Sequence, residues 1–306
     1  MASQGSGRRR AGLGAAIAGA ALLLTTPMAT LGQVEGETFT YGANLAVVTD
    51  LDPASSYSNE VIAMHNIYES LTRYDSATGE VLPALASEWS VSEDGLTWTF
   101  TLRDGVTFHT GNPMDAEAAK AAFERTQALG LGAGYIWFPV ESFEAPDPTT
   151  LVMNLEYPSP MDLIAAANYA AYVYDVNAAG EGASDEELAA WFAEGNDAGT
   201  GPYTIADWQP GSEFELTLDA YEDYWGGWDG DKYTEVVFRV VPEATTALQL
   251  VKNGDVSFVD RLTPQLIDSL RSDENEQVVE TPSLQNLMML LNTASGPLAD
   301  PHVRAA

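Results

Sequence analysis

Hydrophobic positions recur along this chain with two different periods, and the switching between them predicts a mixed α/β fold. TFTYGANLAVVTDLDP opens with a strand and breaks at Asp52-Pro53. Val61, Met64, Tyr68 and Leu71 then fall at helical spacing and predict a helix within 59–74. In LTWTFTLRDGVTF, Trp98, Phe100 and Leu102 alternate with polar residues, and Asp104-Gly105 turns the chain toward Val106 and Phe108, which predicts a half-buried hairpin. Asp115 is placed to cap AEAAKAAFERTQAL, whose Ala119, Ala122, Phe123 and Thr126 share one face. Ser184 and Glu187 form a capping box ahead of Leu188, Trp191 and Phe192, predicting a short helix that stops near Gly195. EVVFRVV and LMMLLN are continuous apolar runs that read as buried strands, and ATTALQLVKNGD reads as a helix ended by Asn253-Gly254. The chain carries no internal repeat and no long linker.

Composition narrows the function classes. A chain of 306 residues with 45% hydrophobic content can bury a sizeable core and is long enough for two domains. Lys plus Arg number 13 against 45 Asp plus Glu, a formal net charge of -32, and this field repels nucleic acid and anionic lipid. Two accounts of the acidity stand: a solvation shell for concentrated salt, as in a halophilic protein, or a specific acidic binding role. The absence of Cys removes disulfides, thiolate metal sites, Cys nucleophiles and a lipoprotein anchor.

The first 32 residues read as a signal peptide. Arg8, Arg9 and Arg10 precede the uncharged run Ala11 to Leu24, which is short for a membrane span, and Thr30 and Gly32 have the spacing of a cleavage site before Gln33. Export follows, by the general route or, through the paired arginines, by the twin-arginine route. GLGAAIAG within this segment follows no strand and is discarded as a dinucleotide motif.

Catalytic and metal signatures are lacking. His65, His109 and His302 are isolated from other ligand-type residues, so no metal site is expected. There is no nucleophile elbow and no phosphate-binding loop. The Asp50-Leu51-Asp52 and Asp229-Gly230-Asp231 pairs lack the closing Glu of a calcium loop. Paired carboxylates for glycoside hydrolysis stay open in a chain with 45 acids, so a secreted carbohydrate-active enzyme is the alternative reading. The expectation is otherwise no enzyme, no catalytic residue and no cofactor.

The segment Ile67 to Arg125, IYESLTRYDSATGEVLPALASEWSVSEDGLTWTFTLRDGVTFHTGNPMDAEAAKAAFER, resembles the signature region of the family-5 extracellular solute-binding proteins of ABC importers. LDP at 51–53, GTGPY at 199–203, YWGG at 224–227, the run 236–260 and the run 287–306 agree with the family in order. The resemblance implies a periplasmic-binding-protein-like α/β fold, type II, with mixed sheets flanked by helices. It implies lobe I from 38–66 plus 172–281, lobe II from 67–171, and in 282–306 the start of a lobe III. Because family members are longer, it also implies a chain truncated at its C-terminus, with that lobe largely absent. Gly199 to Gly227 becomes a framework piece: a turn at Gly201-Pro202, a strand with Phe214, Leu216 and Leu218 on one face, and an aromatic turn at Tyr224 and Trp225.

The function implied is capture of a peptide, a nickel chelate or a sugar in an interlobe cleft, with delivery to an ABC importer permease. The protein is expected to be an extracytoplasmic, periplasmic monomer without catalysis. Candidate ligand contacts are Asp50, Tyr57, Ser58 and Asn59 in the loop after the first strand, and Tyr135 and Trp137 in YIWF. Gln285 and Asn286 join them where the chain would cross to the opposing lobe. Arg103 and His109 are expected to be structural.

Overall fold

Residues 38–43 (β1) and 235–240 (β12 below) lie side by side as parallel strands, in register from Thr38 opposite Glu235 to Ala43 opposite Val240. This pairing joins the first described strand to one far along the chain. The computed structural model describes residues 38–43, 48–211, 215–228, 232–260, 262–271, 273, 277–279 and 291–305.

After β1 (Thr38–Ala43), the loop 48–60 leads into helix α1 (Val61–Ile67). Short strands β2 (Glu69–Ser70), β3 (Thr72–Asp75) and β4 (Glu80–Pro83) follow. The helix expected within 59–74 therefore ends early: Tyr68 is extended, and although Tyr68 and Leu71 are buried as their spacing demanded, strand pairing buries them. Glu69 and Ser70 pair with Val173 and Tyr172, a partner far along the chain that local periodicity does not reveal.

Strands β5 (Ala86–Val91), β6 (Thr97–Leu102), β7 (Val140–Asp147) and β8 (Thr150–Leu155) make an antiparallel sheet in the order β5-β6-β8-β7. Trp98, Phe100 and Leu102 do face the core on alternate positions of β6. The hairpin partner of β6 is β5, however, not the residues after Asp104-Gly105. Val106 and Phe108 are buried from a loop, where Phe108 N–H donates to the Asn112 carbonyl at 2.9 Å. Helix α2 (Ala116–Leu129) is capped by Asp115, whose side chain accepts from Ala118 N–H, and it buries Ala119, Ala122, Phe123 and Thr126. Its Phe123 packs with Trp137, Phe143 and the inner face of this sheet to form one apolar cluster.

The rest of the chain builds a second cluster. Helix α3 (Met161–Ile164), strand β9 (Tyr172–Val173) and helix α4 (Asp185–Ala193) precede β10 (Tyr203–Gln209), β11 (Glu215–Ala220) and β12 (Glu235–Val240). Both halves of the Ser184–Glu187 capping box form at the start of α4. Helix α5 (Ala244–Asn253) ends at Gly254 in the left-handed region, then come β13 (Phe258–Val259), α6 (Pro264–Leu270) and α7 (Pro301–Ala305). The five-stranded mixed sheet runs β10-β11-β12-β1-β13, antiparallel across its first two pairings and parallel across the last two. Leu216, Leu218 and Phe238 of this sheet bury against Met64, Ile67, Tyr174 and Phe192. Each such side chain removed from water contributes roughly 1.5–3 kcal/mol, so these rows decide which face of each strand turns inward. Phe214 and most of LMMLLN lie outside the described residues.

The two clusters meet around buried polar ties. Arg125 of α2 sends two hydrogen bonds to Asp52, at 2.8 and 2.7 Å, one to Tyr174 at 3.1 Å and one to Asp185 at 3.0 Å. Both Arg125 and Asp52 are more than nine-tenths buried, so neither charge is tolerable without the other. The tie fixes the loop that follows β1 against α2.

Candidate functional site

Three segments distant in sequence come together at one surface, each contributing a tyrosine. Tyr57 comes from the loop after β1, Tyr135 from a 3-10 turn (Gly134–Trp137) that follows α2, and Tyr169 from the loop before β9. Tyr57 and Tyr135 are 55% and 53% exposed, unusual for rings of this size held in a fixed turn. The Tyr57 and Tyr169 rings meet edge to face, 5.5 Å between centroids. Tyr169 Oη donates to the Ser58 carbonyl at 2.5 Å. A hydrogen bond with Tyr57 holds the Tyr135 phenol above its ordinary range. The rings thus form a connected rim rather than separate exposed aromatics.

Local chemistry explains the rim's shape. Asp50 accepts from Asp52 N–H at 3.0 Å and from Ser55 Oγ at 2.6 Å, and Asp52 accepts from Ala54 N–H at 2.9 Å, so two carboxylates fold the loop. Gly132 then presses on that loop: a Cβ there would lie 2.6 Å from the Ser55 carbonyl and 3.2 Å from Tyr57 Cβ. Its φ of +52° suits glycine as well.

The expected contacts fare differently. Tyr57 and Ser58 lie on the rim, and Tyr135 joins them across some eighty residues of sequence. Asn59 is half-buried beside them. Asp50 spends both oxygens inside its own loop. Trp137 is a correction: it is fully buried, its indole donating to the Ala170 carbonyl at 2.7 Å and its ring packed 4.5 Å from Phe123 and 5.7 Å from Phe143. With three residues per turn the two rings leave a 3-10 turn in different directions, and the buried Trp137 is the anchor that leaves Tyr135 exposed. Gln285 and Asn286 fall outside the described residues. Tyr169, a rim member, was missed; it stands in an alanine-rich stretch with no pattern to single it out.

A separate framework network accounts for the Gly-rich segments. The Glu69 carboxylate receives Thr200 Oγ1 at 2.9 Å, Tyr224 Oη at 3.0 Å and Trp225 Nε1 at 2.6 Å. Burial pushes its carboxyl up, and hydrogen bonds from Trp225, Thr200 and Tyr224 pull the other way. His109 sits between the Asp197 carboxylate and the Gly201 carbonyl, and Arg103 donates to the Ala84 carbonyl with its guanidinium 5.0 Å over Trp225. Gly199 is demanded by close approach, because a Cβ would come within 2.0 Å of the Ile67 carbonyl.

Residues 80–306 match the family described as "Bacterial extracellular solute-binding proteins, family 5 Middle". The chain belongs to this family. Among curated relatives, "Probable D,D-dipeptide-binding periplasmic protein DdpA" of Escherichia coli strain K12 is 30% identical over 84% of this chain and 49% of its own length. A solved nickel ABC transporter structure from Bacillus halodurans superposes with a TM-score of 0.63 at 28% identity, covering 78% of this chain and 46% of the other. The periplasmic binding protein DppA from Helicobacter pylori, solved with the peptide STSA, gives 0.65 at 24% identity over 78% of this chain and 49% of that one, and supports the fold alone. The family-5 chain described here therefore spans about half the length of the relatives it matches. Its fold is the α/β fold of periplasmic binding proteins. Among the described residues no helix is long and apolar enough to cross a membrane.

Proposed function

We propose that this chain is the solute-capturing component of an ABC importer, extracytoplasmic, without catalysis, and that its solute docks on the tyrosine rim. The observation that carries the reading is the convergence of the exposed Tyr57 and Tyr135 with the half-buried Tyr169 on one surface within a family-5 fold. Rings locked by mutual contacts offer apolar area at little cost in ordering. Lobe I comprises 38–66 plus 172–281, lobe II 67–171, and 282–306 begins a third lobe. Closure of lobes over the solute is stabilised by the solute's differential affinity for the closed form, which the permease reads. The N-terminal segment directs export.

A peptide is the leading solute class because a D,D-dipeptide-binding relative is 30% identical over 84% of this chain, with nickel chelates and sugars behind it. The test is thermal unfolding of the purified chain in high salt against di- to pentapeptides, a nickel-histidine chelate and oligosaccharides. Ligand bound to the native state raises Tm with the logarithm of ligand excess. A shift with one class names the solute; unchanged Tm across all three sinks the reading.

A further inference from the structure

Arg73 and Arg103 stand without an acid in a chain crowded with acids. Carboxylates outnumber Lys and Arg by 45 to 13. Lys120, Arg125, Lys232, Arg239, Lys252 and Arg271 each hold one at 3.3 Å or closer, whereas Arg73 and Arg103 form no ion pair among the described residues.

The two arginines border one short stretch of backbone. Arg73 sits on β3 opposite Leu82 of β4, and two residues beyond Leu82 the Ala84 carbonyl accepts from Arg103 Nε at 2.6 Å. The Arg103 N–H donates to the Leu85 carbonyl at 2.9 Å and the Ala84 N–H to the Leu71 carbonyl at 3.2 Å. These bonds fasten the base of the β3–β4 hairpin to the end of β6, where Arg103 begins. The Tyr224 phenol, pushed up by burial first and then by Glu69, is pulled back by both arginines, so it lies within reach of both charges.

Arg103 is pre-set to receive an anion. Its Nε is spent on the Ala84 carbonyl and its guanidinium carbon lies 5.0 Å over the Trp225 ring, so the side chain is held from two sides. The two Nη groups make no hydrogen bond among the described residues, and the residue is only half-buried. Four N–H donors therefore stand at the surface in a planar fork that takes a carboxylate bidentately. Arg73 is exposed on a two-stranded hairpin that joins neither larger sheet.

The fold's own acids do not fill this place. Glu69 is spent on Thr200, Tyr224 and Trp225, and Asp75 accepts from the Ala77 N–H at 2.8 Å. The surface is also open: the cavity of about 660 Å³ beside Phe108 and Asp115 and the one of about 500 Å³ beside Phe258 and Leu270 are lined by other residues. A small anion finds no enclosing walls here, whereas an acid carried on another protein needs none. A second copy is a poor supplier, since two chains of net charge -32 repel each other.

We propose that Arg73 and Arg103 form a docking surface for an acidic segment of a partner protein, with a carboxylate bound across the two Nη groups of Arg103 and Arg73 supplying the second charge. The inference goes beyond solute capture and does not depend on it.

Isothermal titration of the purified chain with the blocked peptide acetyl-Glu-Ala-Glu-Ala-Glu-amide and its glutamine counterpart tests the proposal. The acidic peptide is expected to bind about tenfold tighter, against the net repulsion of the chain, because a guanidinium fork and a carboxylate make a strong charge-assisted pair. The Trp225 indole N–H resonance should move in the same titration. Arg73→Gln, at an exposed position, should weaken the acidic peptide about three- to tenfold with Tm unchanged, and Arg103→Lys, which keeps the charge but loses the fork, by about as much. Equal or undetectable affinity for the two peptides, or a preference that survives in both variants, overturns the surface. So does a preference lost in Tyr57→Ala but kept in Arg73→Gln, which puts the peptide on the tyrosine rim. A dimer of the natural chain that Arg73→Gln dissolves, or acetate that displaces the peptide at equal carboxylate concentration, gives the arginines to a second copy or to a small anion and overturns the partner. None of these outcomes touches solute capture, which the thermal-shift panel decides.

Discussion

Arg125 holds both carboxylate oxygens of Asp52, at 2.8 and 2.7 Å, across 73 residues of sequence and with both side chains buried. The pair fastens the loop that carries Tyr57 to the helix that precedes Tyr135. Arg125→Ala leaves Asp52 buried and uncompensated, and is expected to lower stability by about 3–5 kcal/mol. Urea denaturation measures it. The double variant Arg125→Met with Asp52→Asn, which keeps an acceptor for the Ala54 N–H, should recover most of the loss, and a double variant as unstable as Arg125→Ala alone would refute the assignment to an orphaned charge.

Glu69 gives a pH signature. Burial raises its carboxyl in the folded state despite three donors, so the native protein keeps this proton to higher pH than the unfolded chain does. Its contribution to stability therefore falls as pH rises from the ordinary glutamate range through the raised value. The difference in unfolding free energy, natural chain minus Glu69→Gln, should decline over that interval. A flat difference would show that Glu69 titrates alike in both states.

Gly199→Ala would place a Cβ about on top of the Ile67 carbonyl, at 2.0 Å. The backbone on both sides must shift, and a loss of at least ~1–3 kcal/mol is expected by analogy with overpacked cores. A Tm equal to that of the natural chain would mean the segment 199–201 is looser than described.

Tyr57→Ala should separate binding from folding. The ring is 55% exposed, so stability should change by no more than ~0.5 kcal/mol. Affinity for the solute identified by thermal shift should fall at least tenfold. Unaltered affinity would remove the rim from the binding site.

The excess of carboxylates predicts a strong salt response. With 45 acidic residues against 13 basic ones, added KCl screens repulsion within the folded chain, and Tm should climb between low and molar salt. A Tm that falls or stays level would leave the acidity to a specific role.

Signals confined to one turn were legible in the sequence. The Asp115 cap, the Ser184–Glu187 box and the Asn253-Gly254 stop all depend on neighbours within four residues, and all three form. Signals that depend on distant partners were not. Tyr68 and Leu71 kept helical spacing yet are buried by strands, since the partner of Glu69–Ser70 lies a hundred residues away. In YIWF the sequence could not say which ring is anchor and which is rim; Phe123, Phe143 and the Ala170 carbonyl decide it. Tyr169 was invisible because a tyrosine among alanines looks like background.

Thr200, Tyr224 and Trp225 all donate to one carboxylate. A substitution at position 69 alone strands three donors at once, while loss of any single donor leaves the acid poorly solvated. Across relatives of this chain these four positions should covary as a block, drifting together or not at all, whereas the rim positions 57, 135 and 169 are free to diverge singly as solutes change.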